Sequence, residues 1–210
     1  MAGADPVATA IRATLLYIST SPYTHNALIS ELRHHNLLSP SSSFSTIPYS
    51  ILRTLPYFNA VIRESLRLFP PFLGITEKVV PLIGAMTPDG RFLPPGTTVG
   101  VSLTALLRDE EVFGFDAQAY RAERWIHASE GERARMERSV ELVFSGGRYG
   151  CLGRDVGTMQ IAKVVVELVR RFEVGVGNCM GCGRGMSEMG CVMGIWVQKG
   201  VWAVLRERGE

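Results

Sequence analysis

The sequence predicts a mainly α-helical chain with small β-sheets, an α+β mixture. Three observations lead there. Apolar residues recur at helical spacing near the N-terminus and after residue 151. Short β-branched runs, punctuated by proline and glycine turns, fill residues 74–101. A glycine-rich loop with one cysteine stands immediately before the last long apolar-periodic stretch.

The elements follow in order. Val7, Ile11, Leu15 and Ile18 fall on one face of a helix over 5–19. Asp5 as N-cap and Pro6 at the first helical position set its expected start. Ser21-Pro22 opens a second helix through about Arg33, with Leu28, Ile29 and Leu32 as its stripe. Residues 39–45, SPSSSFS, read as a polar loop, and Pro48 to Thr54 as a short helix. Pro56 to Leu68 is a helix stopped by Pro70-Pro71. Ile75 to Val80 and Thr97 to Val101 read as small strands, separated by Pro88-Asp89-Gly90 and Pro94-Pro95-Gly96. Ser102 to Arg108 is expected to be helical, and Phe113 to Trp125 an irregular, aromatic-studded loop. Leu152 to Phe172 is a long helix. Phe172 to Val176 and Gly194 to Leu205 read as strands flanking a Gly/Met/Cys-rich stretch.

Composition narrows the function classes. The 210 residues are 46% hydrophobic and 20% charged, as in ordinary globular proteins. A net charge of +2 gives no reason to expect nucleic acid as a partner. The sequence holds no apolar run long enough to span a membrane. The first twenty residues lack the basic segment of a secretory signal, and Arg12 interrupts their apolar run. Four cysteines (Cys151, Cys179, Cys182 and Cys191) make no disulfide framework in a chain this long, so a reducing compartment is the default. Cys179 and Cys182 with Cys191 have part of a zinc-ligand spacing, but no histidine follows His127 to complete it. A poorly constrained hairpin loop is the competing reading of that stretch.

The chemistry concentrates in Phe144-Ser145-Gly146-Gly147-Arg148-Tyr149-Gly150-Cys151-Leu152-Gly153. A thiolate that ligates haem iron has to be single, anionic, dry and held by backbone N–H groups. Glycines such as Gly147 let a backbone approach a flat macrocycle, and Gly153 removes a side chain at the helix start. Phe144 is placed to pack beside the sulfur. A buried structural cysteine in a glycine-rich turn is the plain alternative.

This loop resembles the haem-binding signature of cytochrome P450 enzymes. The family usually carries arginine or histidine two residues before the cysteine, where it pairs a haem propionate. Here that position is Tyr149, and the arginine falls one residue earlier, at Arg148. Fungal members often read G-R-Y-x-C at this point. Other segments resemble the family in its own order. Glu64 and Arg67, three apart on one helical face, resemble its E-x-x-R helix, and Arg124 in Ala122-Glu123-Arg124-Trp125 would complete a buried Glu–Arg–Arg network. Ala2-Gly3-Ala4-Asp5 resembles the distal helix, whose acid and following threonine organise proton-delivering waters above the haem. Here the acid is Asp5, but the threonine position holds Pro6, which has no hydroxyl; Thr9 stands one turn along. Phe72, Leu73, Ile75 and Thr76 occupy the strand that touches substrate in the family. Arg148, Arg154 and Lys163 would give a basic face for an acidic electron donor; a solvated basic surface is the alternative.

The resemblance implies the C-terminal portion of the P450 fold, with residues 1–210 as one partial domain and the N-terminal half absent. It looks most like fungal microsomal members of the pisatin-demethylase type. It implies haem b with Cys151 as axial ligand, molecular oxygen, a small organic substrate, and electrons from an NADPH-dependent reductase. It also implies, for the complete family, the cytoplasmic face of the endoplasmic reticulum membrane; this chain by itself is expected to be soluble or cytoplasmic. Met1 then reads as an internal methionine promoted to a start. A non-catalytic truncated remnant, binding haem weakly or not at all, is the alternative function.

Overall fold

The computed structural model describes residues 3–38, 46–75, 77–176, 189–192, 195–198 and 203–208. Nine helices occur among them: α1 (Ala4–Thr20), α2 (Pro22–His34), α3 (Tyr49–Leu52), α4 (Pro56–Leu68), α5 (Leu103–Leu106), α6 (Glu110–Phe113), α7 (Arg124–His127), α8 (Glu130–Glu141) and α9 (Arg154–Arg171). Two 3-10 turns, Leu142–Phe144 and Gly147–Tyr149, carry the chain from α8 to the cysteine. Among the described residues, eight short strands form four antiparallel pairs. β1 (Lys78–Val79) pairs β4 (Thr98–Val99), and β2 (Ala85–Met86) pairs β3 (Phe92–Leu93). β5 (Phe172–Val176) pairs β8 (Ala203–Glu207), and β6 (Met189–Val192) pairs β7 (Ile195–Gln198). The expected α+β mixture is what forms.

Helix α4 is the centre of the core. Phe58, Ala60, Val61, Ile62, Leu66 and Leu68 are all buried, which no single amphipathic stripe provides. Helices α1, α2, α7 and α8 pack around it. Burying Phe58 alone removes apolar surface worth about 2–3 kcal/mol. Helix α9 contributes Ile161, Ala162, Val165, Val166 and Val169, an i, i+4, i+8 face laid against α1.

The start of α4 is fixed from outside its own sequence. Pro56 supplies the preset first turn, but the N-cap residue, Leu55, has no side-chain acceptor. The first-turn N–H groups of Tyr57 and Phe58, which have no partner within the helix, instead donate to the two carboxylate oxygens of Glu31 in α2, both at 2.8 Å. A carboxylate at a helix N-terminus satisfies orphan donors and meets the positive end of the helix dipole. The two helices are thereby locked in register.

Three differences from the sequence reading have clear causes. Helix α1 starts at Ala4 with Gly3 as N-cap, so Asp5 lies in the first turn and caps nothing with its side chain. Proline is tolerated within that turn because its missing N–H would be unpaired anyway. Helix α8 falls where no element was expected. Its apolar signal is only Met136 and Val140, and a capping box carries the rest: Ser129 Oγ accepts from Glu132 N, and the Glu132 carboxylate accepts from Ser129 N at 2.9 Å. The β2–β3 hairpin was anticipated only as a turn, because two-residue strands carry no readable period. Thr76, Cys179, Cys182 and the polar loop 39–45 lie outside the described residues, so the zinc reading rests on positions not described here.

Candidate functional site

Two features carry the candidate site. The first is a buried charged hub on α4. Glu64 is fully enclosed and accepts five hydrogen bonds. Arg67 donates twice, from Nε at 2.9 Å and Nη2 at 2.7 Å. Arg124 Nε donates at 2.9 Å, Trp125 Nε1 at 2.9 Å and the Arg121 backbone N–H at 3.0 Å. The arginines use their remaining donors on main-chain carbonyls. Arg67 reaches Leu107, Ala117 and Ala119, and Arg124 reaches Phe113, Asp116 and Ala119. Asp116 supplies a second carboxylate to Arg124 at 3.0 Å. The hub therefore pins the irregular 107–124 segment to α4. Sequence reasoning placed Glu64, Arg67 and Arg124 together and missed Trp125, whose indole N–H needs a partner once buried.

The second feature is the cysteine loop. It is closed at its base by the Cys151 N–H donating to the Phe144 carbonyl at 2.8 Å. A bridge from Arg154 in α9 to Glu141 in α8, at 2.7 Å, ties the two flanking helices together. Within the loop, Ser145 has φ 59 and ψ −172, a region that costs a non-glycine residue about 1–3 kcal/mol. Gly147, at φ 60, takes the same hand without that cost. Phe144 is half-buried against the core, with the Arg154 guanidinium 5.8 Å from its ring centroid.

Cys151 itself is exposed, not enclosed as a dry ligand would be. Among the described residues its hydrogen bonds are made by its backbone and none reaches Sγ. It stands three residues before the first residue of the 18-residue α9. Around it lie apolar groups with no cover: Leu152 is fully exposed and Val156 is 54% exposed. Gly153 leaves the flank of the sulfur open, since a Cβ there would stand 4.0 Å from Sγ. On the rim, Tyr149 is 57% exposed. The Arg148 guanidinium lies 4.9 Å from its ring centroid, and Lys78 Nζ from β1 lies 5.7 Å away. A free thiol, an open apolar surface and two cations suit a flat apolar macrocycle that carries two carboxylates. Among the described residues no cluster of three or more His, Cys, Asp or Glu side chains is arranged to hold a bare metal ion.

The other sequence candidates scatter. Asp5 is exposed at the start of α1. Thr9 is buried, and its hydroxyl accepts from Arg12 Nη2 at 3.3 Å. Phe72 folds its ring over Gly74, Leu73 is half-buried, and Ile75 is 59% exposed with its methyl against Gly100. The charge of Arg154 is offset by Glu141, and Lys163 is half-buried farther along α9, so the expected basic face is divided. A cleft of about 900 Å³ between α3, α4, α8 and α9 includes Phe144 and Arg154 but not Cys151.

The match to known families decides what this arrangement belongs to. Residues 1–195 match the family model described as Cytochrome P450. The chain belongs to the cytochrome P450 family. This P450 chain is 40% identical over 173 residues to "Cytochrome P450 monooxygenase ABA1" of Pyricularia oryzae, covering 82% of this chain and 33% of that one. It is 35% identical over 212 residues to "Cytochrome P450 monooxygenase mfmA" of Annulohypoxylon moriforme, covering all of this chain and 38% of the relative. A crystal structure of a cytochrome P450 (CYP102L1) superposes with a TM-score of 0.75 over 97% of this chain and 42% of that one, at 21% identity. The chain thus spans about a third of the length of the curated relatives it matches. No helix among the described residues is long and apolar enough to cross a membrane.

Proposed function

We propose that this P450 chain is the haem-ligating portion of a haem-thiolate monooxygenase, with Cys151 as the axial ligand of haem b. The observation that carries the reading is the open thiol at the N-terminus of α9, flanked by bare apolar surface and two rim cations. Haem b, when bound, supplies the oxygen-activating chemistry that inserts one atom of O2 into a small organic substrate. The chain's own residues do the rest. Cys151 would supply the sulfur ligand from the loop that leads into α9. Gly147 and Gly153 let the backbone lie close to the macrocycle, and Phe144 backs the loop from the core. Arg148 and Lys78, both over the Tyr149 ring, would meet the carboxylates of the macrocycle. The Glu64–Arg67–Arg124 hub holds the segment that leads into α8 and the loop. Asp5 on α1 is the candidate group for moving protons above the haem. Phe72, Leu73, Ile75 and Thr76 are the candidate substrate contacts. Electrons come from NADPH through a reductase, and the complete protein works at the cytoplasmic face of the endoplasmic reticulum membrane.

A second reading is a remnant that binds haem weakly and does not turn over. Pro6 favours it, since it puts no hydroxyl where the relay needs one and Thr9 is already engaged by Arg12. A spectrum of the reduced protein under carbon monoxide tests both. The parent should show the red-shifted band of thiolate-bound haem, and Cys151→Ser should abolish it. Cys179→Ser, Cys182→Ser and Cys191→Ser should leave it unchanged. A normal band in Cys151→Ser would sink the assignment, and a parent with no haem band would leave the remnant.

A further inference from the structure

Among the described residues, Tyr149 is the one aromatic ring beside the candidate axial thiol that has cations from two separate elements over it. The Arg148 guanidinium comes from the cysteine loop itself, 4.9 Å from the ring centroid. Lys78 Nζ comes from β1, far away in the chain, and lies 5.7 Å from it. Neither cation has a carboxylate partner in any ion pair among the described residues, although both are exposed and free to leave. Both cations lie within 6 Å of the same ring centroid. The negative face of an aromatic ring is what attracts each of them.

Resting on the haem-thiolate reading above, we propose that Tyr149 is a positioning residue whose ring gathers Lys78 and Arg148 into a two-cation clamp for the carboxylates of the macrocycle that Cys151 ligates. The role belongs to the ring, not to the phenol hydroxyl. A hydroxyl reaching a carboxylate would give a single neutral hydrogen bond and leave both cations unplaced. A ring holding both lets each meet one carboxylate at its own edge, where charge-assisted bonds are the stronger kind. The clamp also joins β1 to the cysteine loop, so the macrocycle's edge bridges two parts of the fold.

The test measures the rate at which the loaded protein releases its macrocycle to excess apomyoglobin. Tyr149→Phe keeps the ring and should release haem b within about twofold of the parent. Tyr149→Leu removes the ring and should release it about tenfold faster. Lys78→Met and Arg148→Met should each accelerate release in the parent and add little to Tyr149→Leu. With the dimethyl ester of haem b, which has no free carboxylates, parent and Tyr149→Leu should release at equal rates. All three positions are exposed, so the variants keep the core intact. Equal acceleration by Phe and Leu would overturn the ring's role in favour of the hydroxyl. A Tyr149→Leu effect that persists with the dimethyl ester would overturn the clamp. Both failures are distinct from failure of the haem-thiolate reading, which would appear as a missing thiolate-type carbonyl band in the parent itself.

Discussion

Replacing Glu64 with alanine takes one carboxylate away from five donors and leaves two guanidinium groups in a site with essentially no solvent access. Asp116 still touches Arg124, but nothing else anionic reaches Arg67 among the described partners. Removing one partner of a buried ion pair costs about 3–5 kcal/mol, because the desolvated charge left behind is not repaid. For a chain of this length that is a fall of roughly 6–20 °C in melting temperature. Arg67→Ala should cost a similar amount, since three carbonyls and the Glu64 carboxylate lose their donors together. The two losses overlap. The double variant removes the Glu64 charge and one of the cations it left stranded, so it should cost less than the sum of the singles by about 1–3 kcal/mol. Urea unfolding followed by tryptophan fluorescence measures this directly, because Trp125 donates to Glu64 and senses the hub. Additivity within about 0.5 kcal/mol would refute the argument and make the hub an assembly of independent contacts.

Other outcomes follow from the same geometry. Burial raises the phenol pKa of Tyr120, Tyr57 and Tyr17, and the bond to Glu123 raises that of Tyr57 further. These groups stay neutral in the folded chain while the unfolded chain ionises near pH 10. Their contribution is therefore complete below about pH 10 and is lost above it; Tyr120→Phe should flatten the alkaline fall in urea-unfolding stability by up to about 1.4 kcal/mol per pH unit, and an unchanged slope would contradict the burial argument. Ser129→Ala removes the capping box of α8 and should cost about 1 kcal/mol, read as a shift of the urea midpoint without a change in slope. Pro6→Thr, in a chain extended by the N-terminal portion of the Annulohypoxylon moriforme relative, should raise the ratio of product to NADPH consumed. An unchanged ratio would dispose of the idea that Pro6 interrupts a proton relay.

What could be read from the sequence depended on how local its cause was. Helix α4 came out at its observed limits, Pro56 and Leu68, because proline marks both ends and the apolar stripe is dense. Helix α9 was read two residues early at its start and one late at its end, since Leu152 lies outside the helix and Gly153 is its N-cap, its carbonyl accepting the first helical hydrogen bond from Gly157 N at 2.8 Å. Helix α8 was missed because its stability comes from a cap and not from a stripe. Glu31 as the cap of α4, and Trp125 as a donor to Glu64, are contacts between residues far apart in the chain, and no spacing rule reaches them. Lys78 was missed for the same reason: only the folded chain brings β1 beside Tyr149. The family order of Glu64, Arg67, Arg124 and Cys151 was legible because those residues stand in short motifs. The exposure of Cys151 was not, because burial is a property of what surrounds a loop.

The link between Cys151 and α9 carries one more consequence. The helix begins three residues after the cysteine, and its buried face is set by Ile161, Ala162, Val165, Val166 and Val169. Each residue of helix turns its successor by about 100°. Insert a single residue between position 151 and α9, and either those valines rotate out of the core or the thiol swings by a comparable angle. The azimuth of the sulfur is thus a phase, kept by packing several turns away along the helix. Substitutions in the loop can alter the sulfur's surroundings while its bearing stays the same. A change in loop length alters the bearing itself, and no choice of side chain at 152 or 153 can restore it.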